Sequence, residues 1–572
     1  MAPQKKGTQR KAQAVRKEAL KTEPSVLSNV GKAVLLLAVA GAATTVSQLS
    51  LSPVYGSIPS ALFHQRAVTG TALSAVMARH SRTLKRYVPR NLSEFIPLLA
   101  YWIPPIQFIM FKLSGHLGPI YGPLITEMVT YLPLLFMVVY AAGDLIDTID
   151  LRQLQWNSTV IDMIGPVLSY IIVTISSKVT ALQLPGAMST NQFLTRSGLQ
   201  LLLASIFAAA STSFWVVLAV PAMIHTMIAN PHYHGVKATA ALNSTLAVYN
   251  YTILERRESL TGYVSVLEDH NNYFRILRCD HSLLGGNWLL TPERIAQGFI
   301  MPETIYSVFT MLEAVRLVET PKPKPDSEKS ALVIGLGIGT APSAMIAHGI
   351  NTTIVELDPA VLEFASKYFD LPDNHTAAVM DAVAFINEVA VAAPSSYDFV
   401  IHDVFTGGAE PAALFTTEFL QGIRTVLRKD GVVAINYAGD MSLPSTQIIL
   451  NTIHHVFPTC RIFRDSPEQT KSASSDTDFI NMVVFCTNAP DGSNLVFREP
   501  NSNDWKGSVA RRNYLYPRPD LEIKYEFKGA EATAKLLRKG ETAELERHQN
   551  EAAISHWRIM RTVLPAGVWE NW

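Results

Sequence analysis

Almost all the hydrophobic excess of this 572-residue chain lies before residue 230, in runs about as long as a bilayer is thick. Such runs constrain the fold more than any other feature. In lipid every backbone N–H and C=O must be satisfied internally, which leaves helices or closed barrels. A run of about 20 apolar residues matches the roughly 30 Å of hydrocarbon as a helix. Runs at 33–52, 95–113, 119–142, 159–178 and 198–228 read as spans, the last long and interrupted at Pro221. The segment 58–78, "IPSALFHQRAVTGTALSAVMA", carries His64 and Arg66 and on hydropathy alone reads as an interfacial helix. Charge argues otherwise. Arg79, Arg82, Lys85, Arg86 and Arg90 follow it, and the tail 1–32 is basic with Lys5, Lys6, Arg10, Lys11, Arg16, Lys17 and Lys21. Basic segments favour the cytosolic side, and both share it only if 58–78 crosses. Six spans are therefore preferred to five. Six return the second half to the cytosol. Of the acids, Glu127 falls mid-span, whereas Asp144, Asp147, Asp150 and Asp162 read as interfacial.

Composition narrows the class. Lys+Arg and Asp+Glu balance at 48 each, which gives no charge signal for nucleic acid. Cys279, Cys460 and Cys486 are far apart and form no CxxC or metal-ligand spacing. They read as buried, reduced thiols in a cytosol-facing domain, with no metal expected.

From about 249 the texture changes. "YTILERRESLTGYVSVLED" and "YFRILRCD" alternate at strand period around turn signals, and "SLLGGNW" follows. A helical pattern, "PETIYSVFTMLEAVRLV", leads into a Pro- and Lys-rich linker. Strands "ALVIGLG", "NTTIVELD", "YDFVIHDVF" and "GVVAINYAG" then alternate with helices. Uniformly apolar strands separated by helices imply a parallel sheet covered on both faces. The chain thus divides into a tail (1–32), a transmembrane region (33–230), a small β lobe with a helix (249–320), an α/β nucleotide-binding domain (321–490) and a C-terminal extension (491–572).

Ligands of such sheets sit at the carboxyl ends of the strands, where the candidate residues fall. Gly335, Gly337 and Gly339 follow the first strand and open a helix, as a backbone approaching a nucleotide requires. Glu356 ends the next strand, placed to accept from ribose hydroxyls. Asp381, beside Ala382, suits either an adenine amino group or a helix N-cap. Asp403 ends the fourth strand and could orient an acceptor amine or take its proton. His402 alternates to the other side of that strand. His232, His234, His454 and His455 show no partner pattern.

These motifs, in the order "SLLGG", "VIGLGIGT", "VELDPAVLEFASKYF", "MDAVAFI", "YDFVIHDVF" and "LFTTEFLQGIRTVLRKDGVVAINYAG", resemble the spermidine/spermine synthase family over about 249–485. The resemblance implies a class I methyltransferase-like (Rossmann-like) fold behind a small β lobe, in a membrane-fused member. It implies S-adenosylmethionine or its decarboxylated form as donor. It places Gly335, Gly337 and Gly339 at the donor's amino-acid end, Glu356 on the ribose, Asp381 with Ala382 at the adenine and Asp403 at the catalytic position. Aminopropyltransferases of the family carry acids where this chain has Ile338 and Thr406, and those acids would hold amines. Their loss favours methyl transfer onto a nucleophile. Polyamine synthesis by aminopropyl transfer and a non-catalytic nucleoside-binding membrane sensor are the alternatives. Expected partners are membrane lipid and a small amine or other nucleophile, not nucleic acid, with a homodimer left open.

Overall fold

The computed structural model describes residues 26–89, 91–148, 158–191, 194–404, 407–408, 410–467, 480–489, 495–525 and 535–572. Most of the basic tail, Arg90, Asp150 and Thr406 lie outside them.

Helices α1 (Val26–Tyr55), α2 (His64–His80), α3 (Ile96–Lys112), α4 (Ser114–Val129), α5 (Tyr131–Ile146), α6 (Ser158–Thr190) and α7 (Arg196–Ala210) form a bundle. Short helical turns over 214–229 complete it. At one end Asn29 Nδ2 donates to Thr148 Oγ1 at 3.1 Å, Arg79 pairs with Asp147 at 2.6 Å and Ser211 Oγ donates to the Ser93 carbonyl at 2.8 Å. At the other end Arg278 donates to the Pro53 carbonyl at 2.7 Å and Arg561 to Ser114 Oγ at 2.7 Å. There too Arg196 pairs with Glu258, and His232 Nε2 donates to the Glu570 carbonyl at 3.0 Å. α1, α3, α6 and 214–229 run toward this second end. α2, α7 and the bent pair α4–α5, with a 43° bend, run away from it.

Among the described residues the chain therefore passes between the two ends seven times, not six. The difference arises in 198–228, expected as one span. Ser211 leaves helical geometry, and Ser213 Oγ caps the returning segment by accepting from Trp215 N–H at 3.1 Å. The odd count puts Val26 and the Arg79–Arg86 cluster at the end opposite the second half. Three helices, Val26–Tyr55, Leu92–Lys112 and Val160–Thr190, are long and apolar enough to cross a membrane, and α4–α5 makes up to a fourth. Inside the bundle His64 Nδ1 meets Glu127 at 2.8 Å and Ser47 Oγ donates to Glu127 at 2.6 Å. This pairing satisfies the buried acid and lets the polar start of α2 pack inside.

The small lobe is an antiparallel sheet of β1 (Tyr251–Glu258), β2 (Tyr263–Asp269), β3 (Phe274–Cys279), β4 (Ser282–Trp288) and β5 (Glu303–Thr304). The larger sheet comprises β6 (Ser330–Ile334), β7 (Asn351–Glu356), β8 (Thr376–Val379), β9 (Tyr397–His402), β10 (Leu427–Gly439), β11 (Thr459–Arg464), β12 (Ile480–Thr487) and β13 (Glu522–Ile523). Its order is β13-β11-β12-β10-β9-β6-β7-β8, parallel from β10 to β8 and antiparallel beyond. Leu332 and Ile334 face a core with Ile386 and Ile423, while Ala331 and Val333 face another with Met311 and Met345. Both faces are thus covered, as the uniformly apolar strands require. The chain leaves β6 for β7 and β8, then returns to β9 on the other side of β6. Strand order switches there, opening a crevice at the carboxyl ends of β6 and β9.

One expectation needs correction. Cys460 and Cys486 are not reduced thiols. They face each other in the β11–β12 register and form a disulfide, leaving Cys279 free. The extension after 490, to which the sequence assigns no role, packs into the fold. It supplies β13 and the helices α10 (Ala543–Val563) and α11 (Ala566–Glu570), taking α8 as Thr340–Ala347 and α9 as Ala382–Ala392.

Candidate active site

A cavity of about 420 Å³ opens at the switch point. Parallel pairing builds its floor. Asp403 N–H donates to the Ile334 carbonyl at 2.8 Å and Gly335 N–H to the Val355 carbonyl at 2.9 Å, which brings the ends of β9, β6 and β7 level. Gly335 has φ 84°, and a β-carbon there would lie 2.1 Å from the Asp403 carbonyl oxygen. Gly337 has φ 54°, and its β-carbon would meet the Leu284 carbonyl at 2.5 Å. No other residue allows both that backbone and that approach. Gly339 is different. It is the left-handed N-cap of α8, packs beside Leu371 and is not on the cavity wall. Ile338 is 3% exposed and packs over Gly285 in the core between lobe and sheet.

Glu356 closes the turn from below. Leu336 N–H donates to Oε2 and Asp358 N–H to Oε1, each at 2.9 Å, so both oxygens are fixed with lone pairs left for hydroxyl donors. Burial pushes its carboxyl up to about 7. Asp381 caps α9, accepting from Ala384 N–H at 3.0 Å, and also lines the cavity. Ala382 lies on the wall beside it.

Asp403 stands at the other end. Asn436, brought level by the Ile435–His402 register, donates from Nδ2 to Asp403 Oδ1 at 2.7 Å. Burial pushes the Asp403 carboxyl up to about 6, and the Asn436 bond opposes that rise. A carboxylate near 6 is charged at neutral pH yet basic enough to accept a proton from a reacting nitrogen. His402 is fully buried among Phe415 and Phe419, with Nε2 donating to the Leu414 carbonyl at 3.1 Å, so it stays clear of the site.

Several wall residues were not singled out from sequence. Asn436 and Ser282 lie in the quoted strand motifs; Ser282 opens β4, whereas Asn436 lies inside β10 and comes level with Asp403 only through the β9–β10 register. Gly56 and Ser57 beyond α1, His281 in the β3–β4 turn, and His556, Ile559 and Met560 of α10 come from three distant segments. Nothing local in sequence marks them. No group of three or more metal-ligating side chains occurs among the described residues.

Residues 311–464 match the spermine/spermidine synthase domain. The chain is 41% identical over 553 residues, 95% of itself and 97% of the relative, to the N-terminal histidine N-methyltransferase of Emericella nidulans. It is 30% identical over 191 residues, 31% of itself and 25% of the relative, to the eEF1A lysine and N-terminal methyltransferase of Xenopus laevis. It is 33% identical over 136 residues, 23% of itself and 44% of the relative, to the polyamine aminopropyltransferase of Vibrio vulnificus. The chain therefore belongs to the family of the Emericella N-terminal histidine N-methyltransferase, built on a spermine/spermidine synthase domain, and is a transferase whose donor is S-adenosylmethionine or its decarboxylated form.

Proposed function

We propose that this protein is a membrane-embedded methyltransferase that moves the methyl group of S-adenosylmethionine onto a nitrogen of an N-terminal histidine. The observation that carries this reading is end-to-end similarity to the Emericella enzyme, covering the bundle and the extension as well as the shared domain. The match to the Vibrio aminopropyltransferase covers only 23% of the chain. In this mechanism Gly335, Gly337 and Glu356 hold the donor with its sulfonium facing Asp403. Asp403, steadied by Asn436, orients the acceptor nitrogen, whose lone pair attacks the methyl carbon as the carbon–sulfur bond breaks. The electron pair stays on sulfur, giving S-adenosylhomocysteine. Asp403 takes the proton the nitrogen releases. Thr406 lies outside the described residues.

The second half, in this reading, faces away from the cytosol. Seven passes put the basic ends opposite the cavity, and basic ends favour the cytosol. The Cys460–Cys486 disulfide supports an oxidising compartment. Both observations argue against the cytosol-facing expectation. Translation starts with methionine, so a chain that begins with histidine has been cut, as secreted chains are when a signal peptide is removed.

The test is mass spectrometry of peptides incubated with purified full-length protein and S-adenosylmethionine. A methyl group on the first residue of a His-first peptide, absent when the α-amine is acetylated and the histidine replaced, is expected. No methylation of any His-first peptide would overturn the reading.

A further inference from the structure

We propose that His281 reads the acceptor: its Nε2 accepts a hydrogen bond from whichever nitrogen-bearing group of the terminal histidine is not being methylated. This rests on the N-terminal histidine reading above. His281 sits in the β3–β4 turn, is 2% exposed and lines the cavity. Its Nδ1 approaches the Pro53 carbonyl at 3.4 Å. A carbonyl only accepts, so Nδ1 carries the hydrogen and Nε2 is left as an acceptor. Nε2 has no partner among the described residues. A buried polar atom left unpaired costs stability, and in a residue that lines a cavity it is available to pair with a bound ligand.

The ring cannot turn away to find a partner. It stacks on Trp557 of α10 with centroids 5.6 Å apart at 18°, and lies 4.3 Å from Trp569 of α11 at 43°. Each indole is itself tied down. Trp557 Nε1 donates to the Val54 carbonyl at 2.9 Å, and Trp569 Nε1 to the Met560 carbonyl at 3.0 Å. The aromatic end of the chain and the end of α1 thus clamp one imidazole against the cavity.

Two other wall residues agree in kind: Asn436 and Ser282 line the cavity, and Asn436 Oδ1 and Ser282 Oγ have no partner among the described residues. Asn436 has spent its amide on Asp403, so its oxygen only accepts. With Asp403 itself, the wall presents acceptors and one hydroxyl that can also accept. It suits a head group rich in N–H, such as an ammonium beside an imidazole, and leaves acceptors unpaired for an acceptor with a single nitrogen. A site built on hydrogen bonds rejects the analogue that lacks them.

The readout is the ratio of kcat/KM for a His-first peptide to that for the same peptide starting with Ala, with S-adenosylmethionine affinity measured alongside. His281→Phe should cut the ratio about ten- to a hundredfold, through KM for the His-first peptide, with donor affinity unchanged. His281→Gln, whose amide oxygen can stand near Nε2, should recover part of it. Ser282→Ala should lower it a few-fold at most. If wild type methylates no His-first peptide, the functional reading fails. If wild type prefers the His-first peptide and His281→Phe keeps that preference, the function stands and this inference falls. Should His281→Phe lose the donor, His281→Leu replaces it. Loss of donor binding in both would make His281 structural and overturn the proposal too.

Discussion

Replacing Glu356 by Gln isolates the donor-binding charge. In the native site both carboxylate oxygens accept a backbone N–H, from Leu336 and Asp358 at 2.9 Å each. Gln has one acceptor oxygen, so its amide must face one of these donors, and it carries no charge for a ribose hydroxyl. Losing one charge-assisted bond costs on the order of 1.5–3 kcal/mol, or about ten- to a hundredfold in donor affinity. The pH dependence gives a second, independent magnitude. With the carboxyl pushed up to about 7, the charged fraction falls about tenfold from pH 8 to pH 6. Wild-type affinity for S-adenosylmethionine should fall about tenfold over that range, and the variant should be flat. Isothermal titration of detergent-purified full-length protein at both pH values measures this. Equal affinity for the two proteins, or a variant that keeps the wild-type pH slope, would refute the ribose assignment.

The remaining predictions concern catalysis, stability and orientation. Asp403→Asn should lower kcat about 10²–10⁴-fold with donor affinity nearly unchanged, and wild-type kcat/KM should decline as pH drops through about 6. Glu356 contributes to stability in the opposite sense. Its folded value lies above its ordinary one, so its contribution is full at low pH and is lost as pH rises from about 4.5 to about 7. Ligand-free wild type should therefore lose more melting temperature between pH 5 and pH 7.5 than Glu356→Gln does. Removing both Cys460 and Cys486, which close a 26-residue separation, should cost about 3 kcal/mol in denaturant melts. No change would argue that the bond does not form. Labels at residue 20 and residue 85 should react from one side of the membrane and a label in the exposed turn at Asn374 from the other. All three on one side would contradict the seven-pass arrangement.

The sheet and most of the donor end were legible because their signals are local. An apolar strand, a glycine turn and a strand-end acid lie within a few residues of each other, and β6, β7 and β9 deliver Gly335, Glu356 and Asp403 to one crevice. Gly339 follows the same spacing, yet it serves as a helix cap, because spacing alone does not say which way a turn residue faces. The far wall was not legible. His281, His556 and Ser57 meet only because α1 and the end of the chain converge on the β3–β4 turn, and no periodicity encodes that. The run 198–228 reads as continuous by hydropathy, yet Ser211 and Ser213 break it into two antiparallel pieces, a detail of a few atoms that hydropathy does not carry. The disulfide was missed for a similar reason, since Cys460 and Cys486 become neighbours only through the antiparallel β11–β12 register.

In the proposed function this cavity delivers a methyl group to a terminal histidine rather than an aminopropyl group to a diamine. One side-by-side turnover experiment tests it on the purified full-length protein. One reaction contains S-adenosylmethionine and a His-first peptide, and the other contains decarboxylated S-adenosylmethionine and putrescine. The account predicts S-adenosylhomocysteine and a methylated first residue in the first reaction, abolished by Asp403→Asn, and no spermidine in the second. Spermidine in the second, with an unmodified peptide in the first, would contradict it.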